Sequence, residues 1–190
     1  MKKNLLSFAL AALVGAATVS SASAQAKTTP GTVSVGGQAM YPNKNIVENA
    51  VNSADHTTLV AAVKAADLVE TLQDKGPFTV FAPTNAGFNA LPAGTVETLV
   101  KPESKATLTK ILTYHVVTGN MTADKIMAAI KAGKGTATLK TVSGGTRKAM
   151  MNGPKKVVLV DEKGGVSTIS TYEVTQSNGV IHVIDKVLMP

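Results

Sequence analysis

Cysteine and tryptophan are absent from the 190 residues, and aromatic side chains make up only 4% of them. Without cysteine the chain has no disulfide, no thiolate metal site and no cysteine nucleophile. The scarcity of aromatic side chains predicts a core built from Val, Ile, Leu, Ala and Met. With 44% hydrophobic and 16% charged residues, the composition is typical of a globular protein of about one domain.

The N-terminal segment has the pattern of a secretory signal peptide. Two lysines precede an apolar stretch over residues 5–19, and a cleavage site of small residues ends at Ala24. We therefore expect residues 1–24 to be removed near Ala24 and the product to be secreted or periplasmic. A retained membrane anchor is the alternative, but the stretch is short for a span of about 20 residues.

The remaining sequence predicts one α+β domain. Residues 25–40 are rich in Thr, Gly, Ser and Ala, which predicts a flexible leader before a domain over residues 41–190. In the first half of that domain, apolar residues recur mainly at helical spacing. In the second half, alternating patterns and turn residues predict strands, as do residues 114–117. Helices followed by a mostly antiparallel sheet define the α+β class.

Three segments, in this order, resemble the signature blocks of fasciclin domains. They are residues 78–85 (FTVFAPTN), 112–117 (LTYHVV) and 178–190 (NGVIHVIDKVLMP). The resemblance covers residues 45–190 and is to single-domain, secreted bacterial members of the family. It implies a compact α+β fold in which a helical layer packs on a β-wedge. It also implies a function in cell adhesion or extracellular-matrix interaction, by binding and not by catalysis.

The motif residues carried over from these blocks are Tyr114, His115, Asn178, Gly179, His182 and Asp185. The histidines and Asp185 could form a His–carboxylate pair or a metal site, or each histidine could be buried, neutral and hydrogen-bonded. The second interpretation is favoured, because His182 and Asp185 face opposite sides of a regular strand and zinc needs three or four ligands. We expect no catalytic residue, no metal and no cofactor, and motif residues that hold the fold more than they touch a ligand.

Acidic residues are missing between Lys125 and Lys156, a segment that contains eight basic residues. Seven of them form a candidate patch for an acidic polysaccharide or surface protein: Lys131, Lys134, Lys140, Arg147, Lys148, Lys155 and Lys156. The alternative is a solvated face with lysines that protect a sheet edge. Nucleic acid is disfavoured by the export signal and by the lack of aromatic side chains among the charges.

Four methionines leave a second function open. Met121, Met127, Met150 and Met151 could fill a core that is poor in aromatic side chains, which we favour. They could also line a groove for a small hydrophobic ligand such as a carotenoid or lipid, for which some fasciclin relatives offer a precedent. Relatives that engage animal receptors are credited with an Asp-Ile pair near the last block, where this chain has Glu173 and Val174.

Overall fold

The computed structural model describes residues 31–190, so the predicted signal peptide and the first residues of the predicted leader lie outside it. These residues form nine strands and seven α-helices. The strands are β1 (Val33–Val35), β2 (Gln38–Met40), β3 (Phe78–Pro83), β4 (Val116–Thr118), β5 (Thr136–Lys140), β6 (Thr146–Met151), β7 (Val157–Val160), β8 (Val166–Gln176) and β9 (Gly179–Ile184). The helices are α1 (Ile46–Ala50), α2 (Thr57–Ala65), α3 (Val69–Gln73), α4 (Asn85–Asn89), α5 (Thr95–Leu99), α6 (Lys105–Tyr114) and α7 (Ala123–Ala132).

Seven strands form one sheet in the order β4-β3-β9-β8-β7-β6-β5. Only β3 and β9 pair in parallel, with Phe81 opposite His182, and the other neighbours are antiparallel. The two edges of the sheet approach each other, since the Val142 N–H donates to the Val116 carbonyl at 2.8 Å. The sheet therefore curls into a wedge, and the predicted α+β class with a mostly antiparallel sheet is confirmed.

Two cores lie on opposite faces of the sheet, as the alternation of strand side chains requires. Val80 and Ala82 of β3 pack with helices α1, α2, α4 and α6 in the first core. Phe81, between them in sequence, belongs to the second core, where α7 contributes Ile126 and Ile130. The helical layer on a β-wedge that the resemblance implied is thus the observed fold.

The prediction of a strand over residues 114–117 is wrong in its first half. Helix α6 continues through Tyr114, and His115 is its C-cap, with its N–H bonded to the Leu112 carbonyl at 3.0 Å. Over so short a stretch, the apolar residues fit the spacing of a helix as well as that of a strand. The segment is helical because Leu108, Leu112 and His115 lie on the same buried side of α6.

Residues 33–40 differ from the flexible leader that the sequence predicts. They form the β1–β2 hairpin, which turns at Gly36 and Gly37, both at positive φ. Val35 is 7% exposed and Met40 is 3% exposed, and both belong to the first core. The folded unit therefore includes residues that precede position 41.

Candidate functional site

Asn178 and Gly179 join distant parts of the fold at the start of β9. The Asn178 side chain accepts a hydrogen bond from the Ile46 N–H at 3.1 Å and donates to the Leu72 and Asp74 carbonyls at 2.8 and 2.9 Å. A Cβ atom on Gly179 would lie 2.0 Å from the Phe78 carbonyl oxygen. Only glycine permits this close approach of β9 to β3.

His182 is buried in the second core, with both ring nitrogens engaged. Its Nε2 lies 2.8 Å from the Met121 carbonyl, and its Nδ1 accepts from the Glu173 N–H at 3.3 Å. The ring stacks on Phe81 with centroids 5.4 Å apart. Burial lowers the pKa of His182, against the raising effects of the Met121 carbonyl and the Glu173 carboxylate. The geometry requires the neutral tautomer that carries its proton on Nε2.

Glu173 lies in a bulge of β8 and has a positive φ of 54°. Its carboxylate accepts a hydrogen bond from the Ala123 N–H at 3.1 Å, at the first residue of α7. Negative charge at this end of a helix is favourable, and the neighbouring Val174 is fully buried. In this chain the Glu173–Val174 pair therefore positions α7 and fills the core.

His115 and Tyr114 make their hydrogen bonds inside the protein. The His115 Nδ1 donates to the Ile111 carbonyl at 2.8 Å, and its Nε2 accepts from the Leu188 N–H at 3.1 Å. Burial, with a smaller effect of the Arg147 charge, lowers the pKa of His115 to about 3. The Tyr114 hydroxyl donates to the Thr146 carbonyl at 2.7 Å, and burial raises its pKa.

Asp185, the last of the motif residues, directly follows β9. Its Oδ1 accepts from the Ser167 hydroxyl at 2.9 Å and from the Thr168 N–H at 2.8 Å. Within residues 31–190, no hydrogen bond joins Asp185 to His182 or His115. The same residues contain no group of three His, Asp or Glu side chains that could hold a metal ion. The structure therefore assembles no His–carboxylate pair from the motif residues.

Arg147 corrects the predicted patch, because it points into the protein. It is 1% exposed, and its guanidinium carbon lies 4.8 Å from the Phe81 ring centroid and 4.9 Å from that of Tyr114. None of its side-chain nitrogens has a hydrogen-bond partner among the described residues. Burial lowers the pKa of Arg147 to about 10, although Tyr114 and Asp161 act in the opposite direction.

The alternation along β6 explains this orientation. Arg147 and Ala149 face inward, whereas Thr146, Lys148 and Met150 face outward. The inward set on the paired strand β5 is Ala137 and Leu139, which lie opposite Ala149 and Arg147. The alternation along β6 and its register with β5 were the signal that Arg147 is buried. The distribution of charge along the sequence does not contain this information.

The other six patch residues are exposed lysines in two groups. Lys131, Lys134, Lys155 and Lys156 form what we call the basic end. Thr136 pairs with Met150, so the turn before β5 lies beside the turn after β6, where the Asn152 N–H donates to the Lys156 carbonyl at 2.8 Å. Lys140 and Lys148 stand instead on the outward side of β5 and β6.

An apolar cavity of about 60 Å³ lies between the helical layer and strands β3 and β4. An engineered cavity of about 150 Å³ accepts benzene in another protein, so this one is too small for a carotenoid or lipid. None of the four methionines lines it. Met121 and Met151 pack against the second core as predicted, whereas core packing is wrong for Met127 and Met150, which are exposed. The cavity gives no support to a carrier function.

No helix within residues 31–190 is long and apolar enough to cross a membrane.

Comparison with known proteins matches residues 54–190 to the fasciclin domain. The chain is 47% identical over 172 residues to protein sll1483 of Synechocystis sp., covering 89% of this chain and 86% of that one. It is 36% identical over 165 residues to the immunogenic protein MPB70 of Mycobacterium bovis, covering 84% and 75%.

Human periostin is 31% identical over 136 residues, which are 72% of this chain and 15% of periostin. A solved FAS1 domain pair from the insect cell adhesion molecule fasciclin I superposes with a TM-score of 0.68 at 17% identity, over 78% of this chain and 52% of that one. This chain thus spans about half of the insect structure. The matched domain, the relatives and the shared fold agree, and the chain belongs to the fasciclin domain family.

Proposed function

We propose that the protein is a secreted or periplasmic, non-catalytic adhesion module that binds an acidic polysaccharide through its basic end. The observation that carries the proposal is the grouping of Lys131, Lys134, Lys155 and Lys156 at one end of the wedge. An acidic surface protein is the other partner that this chemistry allows. The predicted signal peptide supports export, and the insect cell adhesion molecule of the same fold supports an adhesive role.

The charges of the basic end are not neutralised within the protein. Among residues 31–190, the one ion pair joins Lys105 to Asp67 in the helical half. The sequence between Lys125 and Lys156 contains no acidic residue. Unpaired like charges raise the local concentration of an anionic partner, and the attraction weakens as salt is added.

The motif residues support binding rather than catalysis. The side chains of His115, His182 and Asp185 are engaged in hydrogen bonds to backbone or to Ser167. A general base must reach the proton that it removes. Buried histidines that are already paired do not meet this requirement, and their role is to hold the fold.

A binding titration with heparin as the acidic polysaccharide tests the proposal at low and raised salt. We expect salt-sensitive binding that weakens at least about tenfold in a Lys134→Gln, Lys155→Gln, Lys156→Gln variant. The matched control replaces three exposed lysines of the helical half, Lys75, Lys101 and Lys110, by glutamine. Absence of binding, or equal loss in both triple variants, would contradict a contact through the basic end.

A further inference from the structure

The outward side of strands β5–β8, which we call the outer face, carries exposed apolar residues. Met150 is 37% exposed and Val166 is 47% exposed. Met150 lies directly opposite Val158, and Val166 lies directly opposite Val160. Since Val158 and Val160 are two positions apart on β7, the four side chains form one continuous apolar strip. Val158 is buried and Val160 is half-buried, so Met150 and Val166 are its exposed members.

Lysines border this strip on one side. Lys148 lies opposite Val160 on the neighbouring strand. Lys140 lies opposite Thr146, two positions from Lys148 on β6, so the two lysines are diagonal neighbours. The other outward positions of β5 are Thr136 and Thr138. The basic end adjoins the face through Lys156, which directly precedes β7.

Two acidic side chains accept hydrogen bonds from residues of the outer face. The Glu162 carboxylate accepts from the Thr146 N–H at 2.8 Å. The Asp185 carboxylate accepts from the Thr168 N–H at 2.8 Å. Lys140 and Lys148 are the charged residues among the outward positions of β5, β6 and β7. The outward positions of β5, β6 and β7 therefore combine an apolar centre with two lysines, and the Glu162 carboxylate adjoins them at Thr146.

We propose that the outer face docks on the surface of an anionic lipid bilayer. Met150 and Val166 enter the boundary between headgroups and acyl chains, while Lys140 and Lys148 contact acidic headgroups. Peripheral binding of this type combines buried apolar area with electrostatic attraction. A polysaccharide requires the charge alone, so the exposed apolar residues favour a bilayer. This proposal is independent of the polysaccharide site at the basic end.

Sedimentation with vesicles measures the docking. Vesicles of phosphatidylglycerol and phosphatidylcholine in equal parts are compared with vesicles of phosphatidylcholine alone. We expect binding to the anionic vesicles that falls with added salt. A Lys140→Gln, Lys148→Gln variant should lose roughly 25-fold in partition, at about fivefold for each lysine near the surface. A Met150→Thr, Val166→Thr variant should lose about fivefold or more.

Matched controls make the same types of substitution at exposed residues outside the outer face. Lys75→Gln with Lys101→Gln removes two exposed lysines of the helical half, and Val51→Thr replaces a valine that is 50% exposed. Both controls should bind vesicles like the unchanged protein. No binding to anionic vesicles, or full binding by the Met150→Thr, Val166→Thr variant, would overturn the proposal. Heparin binding of that variant should be unchanged, so failure of one site is distinguishable from failure of the other.

The absence of cysteine allows a direct test of orientation. A polarity-sensitive dye on a single cysteine at Thr138→Cys, on the outer face, should shift its emission when anionic vesicles are added. The same dye at Lys75→Cys should not shift. A shift at position 75 and none at 138 would place the membrane on the other side of the domain and overturn the proposal.

Discussion

Arg147 places a positive charge in the apolar interior of the wedge. The rings of Phe81 and Tyr114 cover the guanidinium, and such contacts stabilise a cation by about 0.5–2 kcal/mol each. Its N–H groups still lack acceptors among the described residues. The neighbouring Asp161 carboxylate instead accepts from the N–H groups of Lys163, Gly165 and Met189. Burial of a charge without such partners costs several kcal/mol.

Replacement of Arg147 by leucine should therefore stabilise the protein. We expect Arg147→Leu to raise the free energy of unfolding by about 1–3 kcal/mol, because the desolvation cost exceeds the ring contacts that are lost. Urea unfolding at neutral pH measures the change. Lys148→Leu, one residue away but facing solvent, is the control and should change it by less than about 0.5 kcal/mol. A destabilised Arg147→Leu would show that the guanidinium has partners beyond the two rings.

His115 is a second residue whose surroundings define a measurable effect. His115→Ala removes the acceptor of the Leu188 N–H and the donor to the Ile111 carbonyl. Each buried group left unpaired costs about 1–3 kcal/mol, so the variant should lose at least that amount of stability. Thermal or urea unfolding provides the value. An unchanged midpoint would show that the imidazole is not needed to bind the C-terminal segment to α6.

At the scale of elements, the β1–β2 hairpin shows what local patterns miss. Each strand has only three residues, too few for alternation to be distinguished from a polar leader. The hairpin is stabilised by packing of Val35 and Met40 in the first core, and most other residues of that core are distant in the sequence. By contrast, the adjacent residues Asn178 and Gly179 made a hairpin between β8 and β9 predictable, although its two-residue turn lies at Ser177 and Asn178, with Gly179 paired to Gln176. The three hydrogen bonds of the Asn178 side chain were not predictable, since their partners are more than 100 residues away.

Removal of the hairpin should weaken the whole domain. A chain that begins at residue 41 lacks Val35 and Met40, which are buried in the first core. Full burial of such a side chain contributes about 1.5–3 kcal/mol, so the loss should be about 3–6 kcal/mol relative to a chain that begins at residue 31. Denaturant unfolding of the two chains gives the comparison. Equal stability would mean that the hairpin is not part of the folded unit.

At the scale of the whole molecule, the fold was predictable from three separated segments, but the positions of charges were not. The segments meet in the structure: the Phe81 N–H donates to the His115 carbonyl at 2.9 Å, and Phe81 stacks on His182. A resemblance to a family predicts the whole arrangement of these segments at once, because members of a family share one fold. Whether Arg147 or Lys148 faces solvent depends on strand register and on which face the sheet buries. The distribution of charge along the sequence indicates neither the strand register nor the buried face of the sheet.

Three buried histidines give the protein a common response to acid. Burial lowers the pKa of His56, His115 and His182 below the ordinary value of 6.5. They are neutral in the folded protein and take up protons on unfolding below that value. The unfolded state then binds more protons, so stability is full above pH 6.5 and falls as the pH decreases toward the folded-state pKa values.

For His115 alone, a decrease of its pKa from 6.5 to about 3 removes about 2 kcal/mol of stability between pH 7 and pH 5. His56 and His182 add losses of the same sign. Urea unfolding at a series of pH values checks the slope, and His115→Gln, which cannot titrate, should make it shallower. Equal stability at pH 7 and pH 5, or the same slope in the Gln variant, would mean that His115 is already protonated or accessible to solvent in the folded protein. In that case the imidazole at the junction of α6, β4 and the C-terminal segment would be available to a ligand. The proposal that the histidines hold the fold while the lysines bind the partner would then be contradicted.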